Sequence, residues 1–183
     1  MAAGRKLIIT FSIITLSVTT LFTSAVGAQA AREACRQPSA AIRYQNAAPS
    51  GGYYAVEAAN TVSAWDAIAP LSFTQASSGT FITIDLAGYG ANNIDGITYY
   101  SCSGSYMVGN TTSYWNAYYT DSYSREAKRS VMVHEVGHAL GLAHSGSSTC
   151  SGQPIMYPSS SRYFSCAHIY PQSGDKAEIG SWY

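Results

Sequence analysis

Two periodicities organise the apolar residues of this chain. Ala55, Ala58, Val62, Trp65 and Ala69 recur at alternating spacings of three and four. That lays them along one face of an α-helix, which Pro70 ends. Ile82, Ile84 and Leu86 instead alternate with Thr83 and Asp85, the period of a half-buried strand over residues 81–86. Shorter runs at 41–45 and 71–76 read as strands, and so do 97–100 and 113–119, with 103–110 left unassigned between them. A second helix is predicted over 125–140. Ser124 stands at its N-cap, Glu126 in its first turn complements the helix dipole, and Gly141 lies just past its end. Residues 145–174 are rich in Ser, Gly, Pro and Tyr and read as irregular. A loop this long in a compact domain is usually functional. Residues 175–183 read as a closing helix with Ile179, Trp182 and Tyr183 on one face. No internal repeat or interdomain linker is visible.

The first thirty residues stand apart from this pattern. Arg5 and Lys6 precede an uncharged, mostly apolar run over 7–22, and Ala28-Gln29-Ala30 follows. This is the pattern of a cleaved secretory signal peptide over 1–30. The run is shorter than the roughly 20 apolar residues a membrane span needs, so no stable membrane anchor is expected. The mature chain is then 31–183. Ten basic residues fall to eight against ten acidic ones, a net charge of −2. No basic block marks a nucleic-acid footprint.

Four cysteines remain, Cys35, Cys102, Cys150 and Cys166. In an exported chain they suggest two disulfides, with three connectivities open. Nearness in sequence favours Cys150–Cys166, which leaves Cys35–Cys102. The rival reading of Cys35 is a thiolate that caps a metal, which would leave Cys102 unpaired.

The chemistry lies in residues 133–145, VHEVGHALGLAHS. His134 and His138 are four apart on a helix, so both rings leave from one face and can share a zinc ion. Gly141 can take positive φ and turn the backbone sharply, which lets His144 approach the same ion from another side. Three protein ligands leave a fourth position for water, as catalytic zinc sites do. Glu135 adjoins the first ligand and is the expected general base for a zinc-activated water. Three of the four histidines fill this pattern. Coincidence would assemble its five fixed residues in roughly one chain in 10⁵ of this composition.

With Gly141 and His144 the motif resembles that of the metzincin metalloproteases. Met156, in Pro154-Ile155-Met156-Tyr157-Pro158, resembles their methionine turn. Within the group, residues 139–145 and Met156-Tyr157-Pro158 look most like the matrixins, and 175–183 resembles their last helix. The resemblance implies an α+β fold: a twisted five-stranded mixed sheet with two helices, the second carrying the zinc motif, then the Met-turn and a short C-terminal helix. It implies one domain over 31–183, one catalytic zinc ion, and an extended polypeptide substrate paired with an edge strand between residues 97 and 109. Tyr157, Pro158, Ser159 and Ser160 would line the pocket for the residue after the cut bond. Only His168 is left for a second, structural zinc, which is therefore not expected. Calcium is a family possibility, but Asp85, Asp95 and Asp121 form no spaced ligand set. The implied function is a secreted, monomeric zinc endopeptidase. The competing functions are a zinc-containing binding module that has lost catalysis and a metal hydrolase acting on non-peptide amides. The presence of Glu135 argues against the first, and an extended cleft argues against the second.

Overall fold

The alternating segment forms β4 (Ile82–Ala87), with Ile82 and Ile84 fully buried and Thr83 and Asp85 on the opposite face. A computed structural model describes residues 31–146 and 149–183, so the leader read over residues 1–30 lies outside the described residues. In chain order the preceding elements are β1 (Ala31–Arg32), β2 (Ala41–Asn46), α1 (Tyr54–Asp66) and β3 (Ser72–Gln75). After β4 come β5 (Gly96–Ser103), β6 (Tyr106–Asn116), α2 (Ala117–Thr120), α3 (Arg125–Ala139), β7 (Leu142–Ala143), α4 (Ser161–Phe164) and α5 (Ser173–Trp182). Five strands form one mixed sheet in the order β3-β2-β4-β6-β5. The β2–β3, β2–β4 and β4–β6 pairs are parallel, and β5 runs antiparallel to β6 at the sheet's edge. The fold is α+β, as a metzincin-type catalytic domain requires.

Several boundaries differ from the periodicity, each for a local reason. The first helix stops at Asp66, so Ala69 lies beyond it and is exposed. The conformation before a proline disfavours the α region, and Ile68 takes the buried place instead. The unassigned stretch 103–110 is the tip and start of the β5–β6 hairpin. The strand expected to run to residue 119 ends at Asn116, whose side chain accepts the Tyr118 N–H and caps the turn α2. Of the region read as irregular, residues 145–146 and 149–172 are largely so but contain the single turn α4, and α5 already begins at Ser173.

The core is built around α3, which packs against β5 and β6 of the sheet and beside α1, itself in contact with β2 and β3. Val131, Met132, Val133 and Val136 are buried in it. Two fully buried indoles bind its backbone, one from the sheet and one from α1: Trp115 Nε1 donates to Lys128 O at 2.8 Å, and Trp65 Nε1 donates to Val133 O at 3.1 Å. Such bonds stop the helix from sliding or rotating while its apolar face packs.

An ion pair joins α1 to α3 as well. Glu57 is fully buried and receives Arg125 Nε at 2.8 Å and Arg129 Nε at 2.7 Å. Burial alone would raise its carboxyl pKa, but bonds from Arg129, Asn60 and Arg125 outweigh it and hold the pKa below the ordinary value. The folded state therefore favours the ionised form. This stabilisation is present above the unfolded carboxylate pKa and is lost as pH falls through the folded value. Glu57→Gln should be less stable at pH 7 and show a flatter fall in denaturation midpoint as pH drops below the ordinary carboxylate range. Parallel profiles for variant and parent would refute this role.

Two disulfides, Cys35–Cys102 and Cys150–Cys166, tie the periphery. In the chain-entropy account, loops of these lengths contribute about 4 and about 3 kcal/mol. The strand β1 pairs antiparallel with β7, and Glu33 N donates to Gly141 O at 2.9 Å. Arg32 also pairs with Glu178 of α5 and lies over the Trp182 ring.

Candidate metal centre and cleft

The last turns of α3 present His134, Glu135 and His138, with His134 and Glu135 buried and His138 half-buried. Ser124 caps the helix start by accepting Ala127 N–H at 3.2 Å. Gly141 closes its end at φ 96°. A Cβ there would lie 2.7 Å from Cys35 O, so both the turn and the contact with the N-terminal segment require glycine. The chain reverses at this point and brings the exposed His144 back over the helix. The ligating atoms of His134, His138 and His144 all lie within 4.8 Å of one another.

The ring nitrogens can be assigned from their partners. His134 Nδ1 lies 2.8 Å from Ile155 O, and His138 Nδ1 lies 2.8 Å from Leu142 O. A carbonyl only accepts, so each Nδ1 carries the proton and each Nε2 is left with a bare lone pair. Those two Nε2 atoms are 3.2 Å apart, and His144 Nε2 is 3.2 Å from that of His134. No proton bridges the His134–His138 pair, so their facing lone pairs repel unless a cation lies between them. Tetrahedral zinc with Zn–N bonds of about 2.0–2.1 Å places its nitrogens about 3.3 Å apart, so the donor set fits that ion. Burial, as the largest cause, holds all three imidazole pKa values below the ordinary value, His138 at about 4, which keeps the rings in the neutral form that metals bind.

Glu135 lies beside this cluster but outside it. Its Oε2 is 2.9 Å from the Thr98 hydroxyl, which reaches in from the edge strand β5. Burial raises its carboxyl pKa to about 7, while Thr98 and the charge of Arg162 pull the other way. A dication at the histidines would lower it further.

Beneath the histidines lies Met156, fully buried. A Cβ on Gly137 would overlap the Met156 sulfur, so the helix and the turn touch where only glycine fits. The turn is anchored from α5. The buried Asp175 carboxylate accepts Ile155 N–H at 2.9 Å, Met156 N–H at 3.4 Å and Gln172 N–H at 2.7 Å. Ile155 in turn receives the His134 proton, so a chain of bonds runs from α5 to the first histidine.

A cleft of about 410 Å³ passes over the cluster between β5 and the loop at Pro158. Beside it a hollow of about 300 Å³ is lined by Asp95, Tyr119, Tyr123, Pro158, Ser159 and Ser160. Tyr157 lines neither space; its carbonyl accepts from Arg162 Nη1 at 3.3 Å. His168 stands apart, with Nε2 3.2 Å from Cys150 O.

Sequence reasoning passed over Thr98, Arg162, Asp175 and Glu33. Arg162 sits in a serine-rich stretch and reads as a surface residue, yet it is 2 % exposed and faces the cleft. Asp175 had a readable signal, because it follows Gln172 by three residues and completes a capping box.

A family model described as pregnancy-associated plasma protein-A, peptidase family M43, matches residues 74–173. That stretch is more than half of the chain and runs from the end of β3 into the start of α5, so it contains all three clustered histidines and Met156. No curated protein matches the chain.

Proposed function

This chain belongs to the pregnancy-associated plasma protein-A family, a metzincin-type zinc metallopeptidase family, and on that premise we propose that it is a secreted endopeptidase acting on extended polypeptides. His134, His138 and His144 would hold one zinc ion, Glu135 would be the general base, and Met156 would be the Met-turn residue. A zinc ion held there would supply Lewis acidity and lower the pKa of a bound water. Glu135 is positioned to take a proton from the attacking water and return one to the leaving amine. Thr98 orients that carboxylate from the strand along which a substrate backbone would lie. The hollow beside Pro158, Ser159 and Ser160 would take the side chain after the cut bond, as the likeness to matrixins suggests.

The observation that carries the reading is the pair of unprotonated Nε2 atoms of His134 and His138, 3.2 Å apart and aimed at one point with that of His144. Secretion is supported by the two disulfides and by the leader pattern of residues 1–30. Purified protein should contain about one zinc per chain. Chelation should abolish cleavage of a denatured proteome, and added zinc should restore it, read as new termini by mass spectrometry. Cleavage that survives exhaustive chelation would overturn the metal's role.

A further inference from the structure

The cleft has two ends. One adjoins Asp95, Pro158 and the side hollow; the other is formed by Tyr100 of β5 and Glu33, just past β1. If the side hollow receives the residue after the cut bond, residues before that bond must lie toward Tyr100 and Glu33. We propose that Glu33 forms an acidic subsite there and selects substrates with lysine or arginine before the scissile bond. This rests on the endopeptidase reading above and adds a preference to it.

Three observations carry the assignment. Glu33 is held in place, because its backbone N–H is bonded to Gly141 O at 2.9 Å and its neighbour Arg32 is tied to α5. Its side chain lines the cleft and is 25 % exposed, so it is both positioned and reachable. Among the described residues its only charged or ionisable neighbours belong to the site itself: Oε1 lies 3.4 Å from His138 Nδ1, whose proton already goes to Leu142 O, and Tyr100 of the edge strand lines the same end of the cleft. Among the described residues no lysine or arginine pairs with it. The neighbouring arginines are engaged elsewhere, Arg32 on Glu178 and Arg36 over Tyr106 and Tyr183. A carboxylate in a substrate cleft without a basic partner favours a cationic side chain in the substrate.

The test uses the zinc-loaded enzyme and quenched peptides in which Lys, Gln or Glu is walked through the three positions before the cut. At one position Lys should exceed Glu in kcat/KM by about fivefold to tenfold at low salt. Glu33→Gln should remove most of that ratio and Glu33→Lys should invert it, while preference after the cut bond stays unchanged. A change in metal affinity alone lowers all rates together and leaves the ratio untouched, so the ratio isolates the subsite. Binding of the Lys and Glu peptides to the inactive Glu135→Ala protein, measured by calorimetry, should show the same ratio. A Lys-to-Glu ratio that is equal in parent and Glu33→Gln overturns the subsite and leaves the peptidase reading standing. Failure to cleave any peptide overturns both.

Discussion

Glu135→Gln should lower kcat by about 10²- to 10⁴-fold while the protein keeps its zinc. The substitution preserves the shape of the side chain and leaves Thr98 a carbonyl oxygen to bond, so the cleft and KM should change little. What it removes is the group that takes the proton as water attacks. Glu135 is buried beside the three histidines but is not one of the clustered ligating residues, so metal content should be unaffected. Steady-state kinetics paired with metal analysis of the same sample separates the roles. A fall of less than tenfold would remove Glu135 as the base. A stoichiometric loss of zinc would make it a ligand instead.

Asp175→Ala should be the most damaging substitution away from the histidines. It removes the acceptor for three backbone N–H groups, of which those of Ile155 and Met156 are in the buried turn. Leaving such donors unpaired costs about 1–3 kcal/mol each, so a loss of about 3–5 kcal/mol in urea denaturation is expected. Asp175→Asn keeps one oxygen but turns an amide N–H₂ toward one of those donors and should fall between the two. The effect should also reach the metal. The Ile155 carbonyl orients His134 through its Nδ1 proton, and weakening such a support typically costs 10- to 100-fold in metal affinity. Chelator competition would measure it. An unchanged zinc affinity in a destabilised Asp175→Ala protein would break the proposed link between α5 and the first histidine.

What the chain discloses on inspection depends on how far apart the cooperating residues are. The His134–His138 pair, Ser124 and Gly141 all act within one helix or its two ends, so fixed spacings announce them. The alternation in β4 is equally local, and it placed a strand where one is found. Strand order is different in kind. That β5 lies at the edge beside β6, with three parallel pairings further in, follows from which surfaces pack together, and no short spacing encodes it. The residues that complete the cleft belong to this second class. Thr98 meets Glu135 across 37 positions, and Asp175 meets Ile155 across 20. Arg162 reads as a solvated charge until the fold closes over it. The first helix shows the converse limit: the apolar spacing continues to Ala69, but the nearby proline ends the helix at Asp66.

The Cys35–Cys102 bond has a consequence for substrate choice. Cys102 lies on the edge strand two residues past Tyr100, and Cys35 lies two residues past Glu33, so the bond ties together the two segments that form one end of the cleft. Covalently stapled, that end cannot spread to admit a helix or a paired hairpin. A folded target of the proposed endopeptidase should therefore have to surrender a stretch of unpaired backbone before it is cut. The bonds broken in folded proteins should then map to mobile tails and surface crossings, and partial unfolding of the target should quicken the reaction more than any exchange of its side chains.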